Sequence, residues 1–361
     1  MPPGHSVRSE EFGRGGLNLS ERDPDTMSDL AGGIQTIDIH AHFYPEQYLR
    51  ILEGLDANSP VTCSFDNPEG PVITFWGSDT PPLNKTYYDF HARVKEMDVK
   101  GVDIHCLSLT QPMVHWAEAE LALKLCQAYN DACAEAHEAF PDRYLGFAML
   151  PMLQPDTALT ELKRCADLPG VRGVYLSTHV EGAELSDPLF FPVYGAIQEM
   201  GWHIFLHPVR VVDPGRLKKF YLTNFIGNPT ETAIAASHLI FGEVLDKFPE
   251  LTWILPHAGG AFPWLIGRIT HGWGVREECS HLLMPPEAYL RRFYYDTITH
   301  NYSALQYLIN LVGADRVVLG SDYCFDMSYQ RPVDVVMEHK ELSDADREMI
   351  LCGNVKKLLD L

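Results

Sequence analysis

The stretch Ile37-Asp38-Ile39-His40-Ala41-His42 is an apolar run that ends in two histidines one residue apart. In an extended strand, residues i and i+2 point to the same face, so both imidazoles are directed at one point. This arrangement suits a metal ion at the end of a strand, because imidazole nitrogen is a ligand for zinc and its first-row neighbours. The pair alone is a weak signal, since a strand can also carry two histidines that are satisfied within the core.

From Ile34 onward, short β-type runs alternate with longer helical patterns, which is typical of βα units around a parallel sheet. Helices are predicted between most of the strands, for example at residues 117–140 and 156–167. Eight strands are predicted, at residues 35–40, 102–108, 145–150, 171–176, 202–207, 252–257, 293–296 and 317–321. The sequence therefore predicts an α/β fold, a (β/α)8 or TIM barrel, over residues 34–361.

Two segments stand outside this repeat. Residues 1–33 are rich in Gly, Ser and charge without periodicity, which predicts a flexible N-terminal tail. The gap between the first two strands is about twice what one helix and its loops need. Within it, two apolar runs flank a Pro/Gly turn at residues 66–70, which predicts a small β-hairpin insertion after the first strand, at about 55–85. Because βα loops build the active sites of such barrels, we expect this insertion to cover the site.

Composition narrows the choice of partners and compartment. Acidic residues outnumber basic ones by 49 to 28, a formal net charge of -21, which argues against binding to nucleic acid or an anionic membrane. The eight cysteines form no Cys-x-x-Cys pair, so neither a disulfide framework nor a thiolate zinc site is predicted. No apolar stretch approaches the length of a membrane span, and the N-terminus lacks the pattern of a signal peptide. We therefore expect a cytoplasmic protein.

Ligand-type side chains follow four of the predicted strands at their carboxyl ends, where barrel active sites lie. They are His40 and His42 after the first strand, His207 after the fifth, His257 after the sixth and Asp322 after the eighth. Three histidines and one carboxylate, His40, His42, His207 and Asp322, are able to bind one divalent ion and leave a position open for water or substrate. His257 is then a base beside the metal.

Each of these residues also has a structural interpretation. A single histidine at a strand end is more often a satisfied polar residue than a ligand, and an aspartate after Gly-Ser is often a helix N-cap. Coincidence is harder to accept for five such residues on one rim, so the metal interpretation is favoured. Other histidines, among them His105, His203 and His238, fall on apolar or mid-element positions and are assigned to structure.

Four motifs together resemble the amidohydrolase superfamily: Asp-Ile-His-Ala-His, His-Pro after the fifth strand, His-Ala-Gly-Gly after the sixth and Gly-Ser-Asp-Tyr after the eighth. More closely, the chain is similar to the decarboxylase branch that includes the 2-amino-3-carboxymuconate-6-semialdehyde decarboxylases. Residues 93–98, 228–232 and 262–268 support the resemblance and stand in the expected order. It covers residues 34–354.

The resemblance implies one divalent ion, zinc or else manganese, on the four ligands, with His257 and Asp322 as catalytic residues. It also implies that Arg268 binds a substrate carboxylate across a subunit interface, which makes the active unit at least a homodimer; a plain surface charge is the alternative. Two departures predict a different substrate. Val209 replaces an aromatic residue after His-Pro, and Pro81 and Lys85 stand near the place of a second substrate arginine.

We predict a metal-dependent, non-oxidative decarboxylase of a small aromatic or muconate-type carboxylic acid. The ion chelates the carboxylate and a neighbouring group, while His257 delivers a proton or assists the addition of hydroxide. One alternative is a metal-dependent hydrolase or hydratase of a lactone, amide or alkene, because the same ligands make the same nucleophile. A non-catalytic, metal-stabilised binding protein is the other alternative.

Overall fold

Eight parallel strands form the centre of the fold in the computed structural model, which describes residues 31–361. The strands are β1 (Ile37–His42), β2 (Ile104–Ser108), β3 (Tyr144–Met149), β4 (Val171–Ser177), β5 (Ile204–His207), β6 (Trp253–Leu255), β7 (Phe293–Asp296) and β8 (Val317–Val318). Each strand pairs with the next along the chain. The Ile39 amide donates to the Leu319 carbonyl at 2.9 Å, which brings the segment after β8 against β1. The predicted (β/α)8 barrel is confirmed.

The strands are buried on both faces, and Arg172 is the one strand residue of the barrel that is not fully buried. Burial on both faces explains why most of these segments are apolar at successive positions. β1 is the exception, because Asp38, His40 and His42 alternate with apolar residues. β6 and β8 are shorter than predicted. Both strands end before the ligand-type residues, and His257 and Asp322 adopt left-handed backbone, with φ values of 52° and 62°.

Helices surround the barrel. They are α1 (Glu46–Glu53), α2 (Phe90–Lys100), α3 (Ala119–Ala139), α4 (Pro155–Ala166), α5 (Phe191–Glu199), α6 (Pro214–Leu217), α7 (Asn228–Phe241), α8 (Val244–Lys247), α9 (Phe262–Val275), α10 (Tyr302–Val312), α11 (Pro332–Met337), α12 (Asp344–Glu348) and α13 (Asn354–Leu359). Local signals set their ends: α2 begins after Asp89, whose carboxylate accepts the amides of His91 and Ala92, and it stops at Gly101, with φ 71°. Within residues 31–361, none of the helices combines the length and hydropathy needed to cross a membrane.

The segment between β1 and β2 carries a small antiparallel sheet. Val61–Ser64 pairs with Val72–Phe75, and Ser78–Asp79 adds a third short strand. The ring of Trp76, at the turn, lies 5.0 Å from the Arg210 guanidinium in the loop after β5. This contact ties the sheet to the loops at the carboxyl ends of the barrel strands. The predicted tail lies outside the described residues, apart from its last three positions.

Candidate metal centre

Two histidine Nε2 atoms and one carboxylate oxygen lie close together at the carboxyl end of the barrel strands. His40 Nε2 lies 3.1 Å from His42 Nε2, and Asp322 Oδ1 lies 3.4 Å and 3.0 Å from these two nitrogens. Both histidines are fully buried, and Asp322 is 6% exposed. Two imidazole nitrogens at this separation with a carboxylate beside them form a group of electron-pair donors that faces one point.

Two further histidines complete the cluster. His40, His207, His257 and Asp322 each offer a ligand atom, and these four atoms lie within 4.8 Å of one another. His257 Nε2 is 3.7 Å from Asp322 Oδ2. The five ligand-type residues that follow the predicted strands therefore lie together. His40, His207 and Asp322 are common to both possible ligand sets, and the fourth ligand is either His42 or His257.

Hydrogen bonds behind the cluster distinguish these histidines. Nδ1 of His40 lies 2.7 Å from Asp296 Oδ2, and Nδ1 of His42 lies 3.1 Å from Ser108 Oγ. Nδ1 of His207 lies 3.0 Å from the carbonyl of Pro208, an acceptor only, so that nitrogen carries the proton. Such outer partners orient metal-binding histidines and leave Nε2 free for the ion. The donor set therefore fits one divalent cation.

His257 differs from these three. Its Nδ1 is buried and has no hydrogen-bond partner among the residues that the structure describes. An imidazole without an outer acceptor is not fixed in one tautomer, so it can hold its proton on either nitrogen. This property suits an acid/base group better than a ligand, and it favours His42 as the fourth ligand.

Burial sets the protonation of two histidines of the cluster. It lowers the pKa of His42 to about 4, against the opposing hydrogen bond to Asp322. It also holds the pKa of His207 well below its usual range. Both imidazoles are thus neutral at physiological pH, the form in which histidine binds a metal.

Asp322 carries negative charge into the cluster. Burial raises the pKa of its carboxyl group, but hydrogen bonds with His257 and His42 outweigh burial and keep that pKa well below its usual range. Burial also lowers the pKa of His40, yet the hydrogen bond to Asp296 and the charge of Asp322 reverse this effect and raise it. The surrounding groups therefore stabilise positive charge at the centre of the cluster.

Two aspartates that support the cluster were missed in the sequence. Asp296, at the end of β7, accepts the amides of His257 and Ala258 at 2.9 and 2.7 Å in addition to its contact with His40. Asp38 accepts the amides of His40 and Ser321 at 3.0 and 3.1 Å and so links β1 to the segment that carries the last ligand. An acidic residue within a mostly apolar barrel strand is the sequence signal that could have identified them.

Replacement of Asp296 by asparagine is expected to weaken metal binding about 10- to 100-fold, the usual effect of losing such an outer partner. The amide keeps the shape but lacks the charge that holds the His40 imidazole. Equilibrium dialysis against a competing chelator measures the change. The matched control is Asp360→Asn, an exposed position at the C-terminus. Equal metal affinity in the two variants contradicts the role given to Asp296.

The backbone at the cluster is constrained. His257 and Ala258 both adopt the left-handed region, with φ 52° and 56°, which costs energy for residues with a side chain. A Cβ on Gly260 would lie 2.3 Å from the carbonyl of Pro229, so no other residue fits there. Close backbone approach thus explains the second of the two glycines that follow Ala258.

Two cavities meet at the cluster, and His257 and Asp322 line both. The larger, about 460 Å³, is lined in part by residues of the insertion, among them Phe75 and Pro81. The other, about 360 Å³, lies against α9 and α10. Residues of the insertion therefore line the cavity that reaches the cluster. Arg268 is exposed on α9 and lines neither cavity.

Residues 37–361 match the sequence model of the amidohydrolase family. The chain belongs to this family. A curated relative, 2-amino-3-carboxymuconate-6-semialdehyde decarboxylase from Dictyostelium discoideum, is 31% identical over 328 residues, 90% of this amidohydrolase and 91% of the relative. The family resemblance drawn from the motifs is confirmed.

Solved structures share the fold of this amidohydrolase. The apo form of IDCase from Metarhizium anisopliae superposes with a TM-score of 0.82 at 24% identity, covering 91% of this chain and 98% of the other. Dihydroxybenzoic acid decarboxylase from Polaromonas sp. JS666, with bound manganese and the inhibitor 2-nitroresorcinol, gives a TM-score of 0.75 at 25% identity, covering 91% and 97%.

Proposed function

We propose that this amidohydrolase is a metal-dependent, non-oxidative decarboxylase, a carboxy-lyase, that acts on a small aromatic or muconate-type carboxylic acid. The observation that carries the proposal is the convergence of Nε2 atoms and one carboxylate at the floor of a cavity, with a separate histidine beside them. The decarboxylases among its relatives and fold neighbours support this choice over other amidohydrolase reactions.

We assign the metal to His40, His42, His207 and Asp322. An ion held by these residues would act as a Lewis acid towards the substrate carboxylate. Zinc is our first choice because imidazole dominates the donor set. Manganese is the other candidate, supported by the manganese in the Polaromonas structure.

Residues of the protein itself transfer the proton. His257 faces the cavity with Nε2, and its side chain is 15% exposed, so it can exchange a proton with a substrate and then with water. We propose that it protonates the carbon that carries the carboxylate. The bond between this carbon and the carboxylate then breaks, its electron pair restores the π system that accepted the proton, and CO₂ leaves. Asp322 Oδ2, 3.7 Å from His257 Nε2, stabilises the imidazolium before transfer.

Removal of the metal tests the proposal directly. Treatment with a chelator is expected to abolish turnover, and one equivalent of zinc or manganese per site is expected to restore it. The assay follows CO₂ and a product one carbon shorter, over a panel of hydroxy- and amino-substituted aromatic and muconate-type acids. Turnover without CO₂ identifies a hydrolase or hydratase instead. No turnover on any acid, with metal bound, identifies a binding protein.

We further propose that the active unit is at least a homodimer, built on the exposed face of α9. Trp264 is 76% exposed there, and it also lines the cavity that reaches His257. Gly267 has open space where a Cβ would stand, so a second chain can approach the helix closely. In this proposal a second copy on this face supplies its Arg268 to the substrate carboxylate. We also propose a cytoplasmic location, supported by the eight free thiols.

Complementation between two inactive variants tests the shared site. Arg268→Ala and His257→Asn are each expected to be nearly inactive, but co-expression should restore activity. Random pairing leaves about one quarter of the sites with both residues intact, if each site takes its arginine from the other subunit. Activity of the mixture is compared with that of each variant alone. No restoration in dimers of mixed composition means that Arg268 acts within its own subunit or not at all.

A further inference from the structure

The two ends of the larger cavity differ in chemistry, and the proposed function does not depend on this difference. Its floor is the metal cluster, reached through His207, His257 and Asp322. Its lining also includes two solvent-exposed carboxylates, which mark its open end: Asp79 from the inserted sheet and Asp326 from the segment after β8. A substrate bound to the metal through its carboxylate extends towards this acidic end.

Aromatic rings define the path between the two ends. The Phe325 ring contacts the His42 ring edge-on, with centroids 5.5 Å apart, and it contacts Tyr87 in the same way at 5.6 Å. Phe325 and Tyr87 both line the cavity. They form a wall from the metal ligand outwards, which suits a flat, unsaturated substrate. Substituents far from the metal therefore point towards Asp79 and Asp326.

Both outer carboxylates are held in position. Thr74 Oγ donates to Asp79 Oδ1 at 2.7 Å, and the Tyr221 hydroxyl donates to Asp326 Oδ1 at 3.3 Å. Each retains acceptor positions for a ligand. The lining of this cavity, among the residues that the structure describes, contains no lysine or arginine, and Lys85 of the insertion is not part of it.

We propose that Asp79 and Asp326 are specificity-determining residues that select a hydroxyl or amino group at the distal end of the substrate and reject a second carboxylate there. A distal donor pairs with the carboxylates, whereas a distal anion meets like charge in a partly enclosed site. This inference rests on the proposed function for the orientation of the ligand, and it favours hydroxylated or aminated aromatic monoacids over dicarboxylates.

Binding to a metal-loaded His257→Asn protein tests the inference without turnover. The probes share a 2-hydroxybenzoate head and differ only at position 4: 2,4-dihydroxybenzoate, 4-amino-2-hydroxybenzoate and 2-hydroxyterephthalate. Calorimetry at low ionic strength should give the terephthalate a Kd at least about 10-fold higher than the other two. In the same background, Asp79→Asn with Asp326→Asn should reduce this ratio by at least about 5-fold, because both repelling charges are gone.

A second double variant controls for net charge. Asp66→Asn with Glu69→Gln removes two charges from the same insertion at positions outside the cavity lining, so the ratio should stay as in the parent. Equal affinities for the three probes, or a ratio that the Asp79/Asp326 variant leaves unchanged, overturns the inference. CO₂ release by the wild-type protein tests the proposed function separately. Selective binding without CO₂ release from any acid overturns that function and retains the inference.

Discussion

Asp322→Asn is expected to purify with little bound metal and to lose more than about 10³-fold of its turnover, because a charged, buried ligand is replaced by a neutral one. The Asp322 carboxylate lies 3.0 Å from His42 Nε2 and 3.4 Å from His40 Nε2. Without its charge, the cluster presents neutral donors only, and a divalent ion loses the partner that offsets its desolvation. Elemental analysis and CO₂ release measure the two effects.

Asp315→Asn is the matched control for this variant. Asp315 precedes β8, at the opposite end of the barrel from Asp322, and pairs with Arg291 at 2.8 Å on the surface. The face of the barrel at the amino ends of the strands contributes to stability rather than to chemistry. Metal content and turnover should therefore match the wild type. A full metal complement in Asp322→Asn contradicts the ligand assignment.

The ligand residues were predictable because each follows a strand within a short motif. His40 and His42 are separated by one residue, and the strand period alone directs both to one face. The barrel was predictable for the same reason, since eight apolar runs with helices between them leave few other topologies. The local sequence pattern was sufficient to predict features that depend on residues close together in the sequence, such as the strands and the direction of His40 and His42.

The supporting residues were not predictable in this way. His40 and Asp296 are 256 positions apart, and their hydrogen bond exists only because β7 and β1 reach the same rim of the closed barrel. Asp38 and Ser321 meet across the closure for the same reason. The ends of β6 and β8 were also misplaced, because the left-handed residues that follow them, His257 and Asp322, are not glycines and so give no local signal.

His257→Asn is expected to lower kcat by about 10²- to 10⁴-fold, the usual contribution of a positioned acid or base, and to leave metal content and substrate KM near their wild-type values. Asparagine tolerates left-handed backbone, so it fits the φ of 52° at this position without disturbing the loop. It cannot gain and release a proton as imidazole does. Single-turnover kinetics and elemental analysis separate chemistry from metal binding.

The same variant decides between the two possible ligand sets. Geometry alone groups His257 with His40, His207 and Asp322, whereas the outer hydrogen bonds assign His42 in its place. If His257→Asn loses the metal, His257 is a ligand and the acid/base role must pass to another group. If the variant retains the metal and has a low kcat, His257 is the proton carrier, as the absence of a hydrogen-bond partner at its Nδ1 suggested. His91→Asn, at an exposed position on α2, is the control and should change neither quantity.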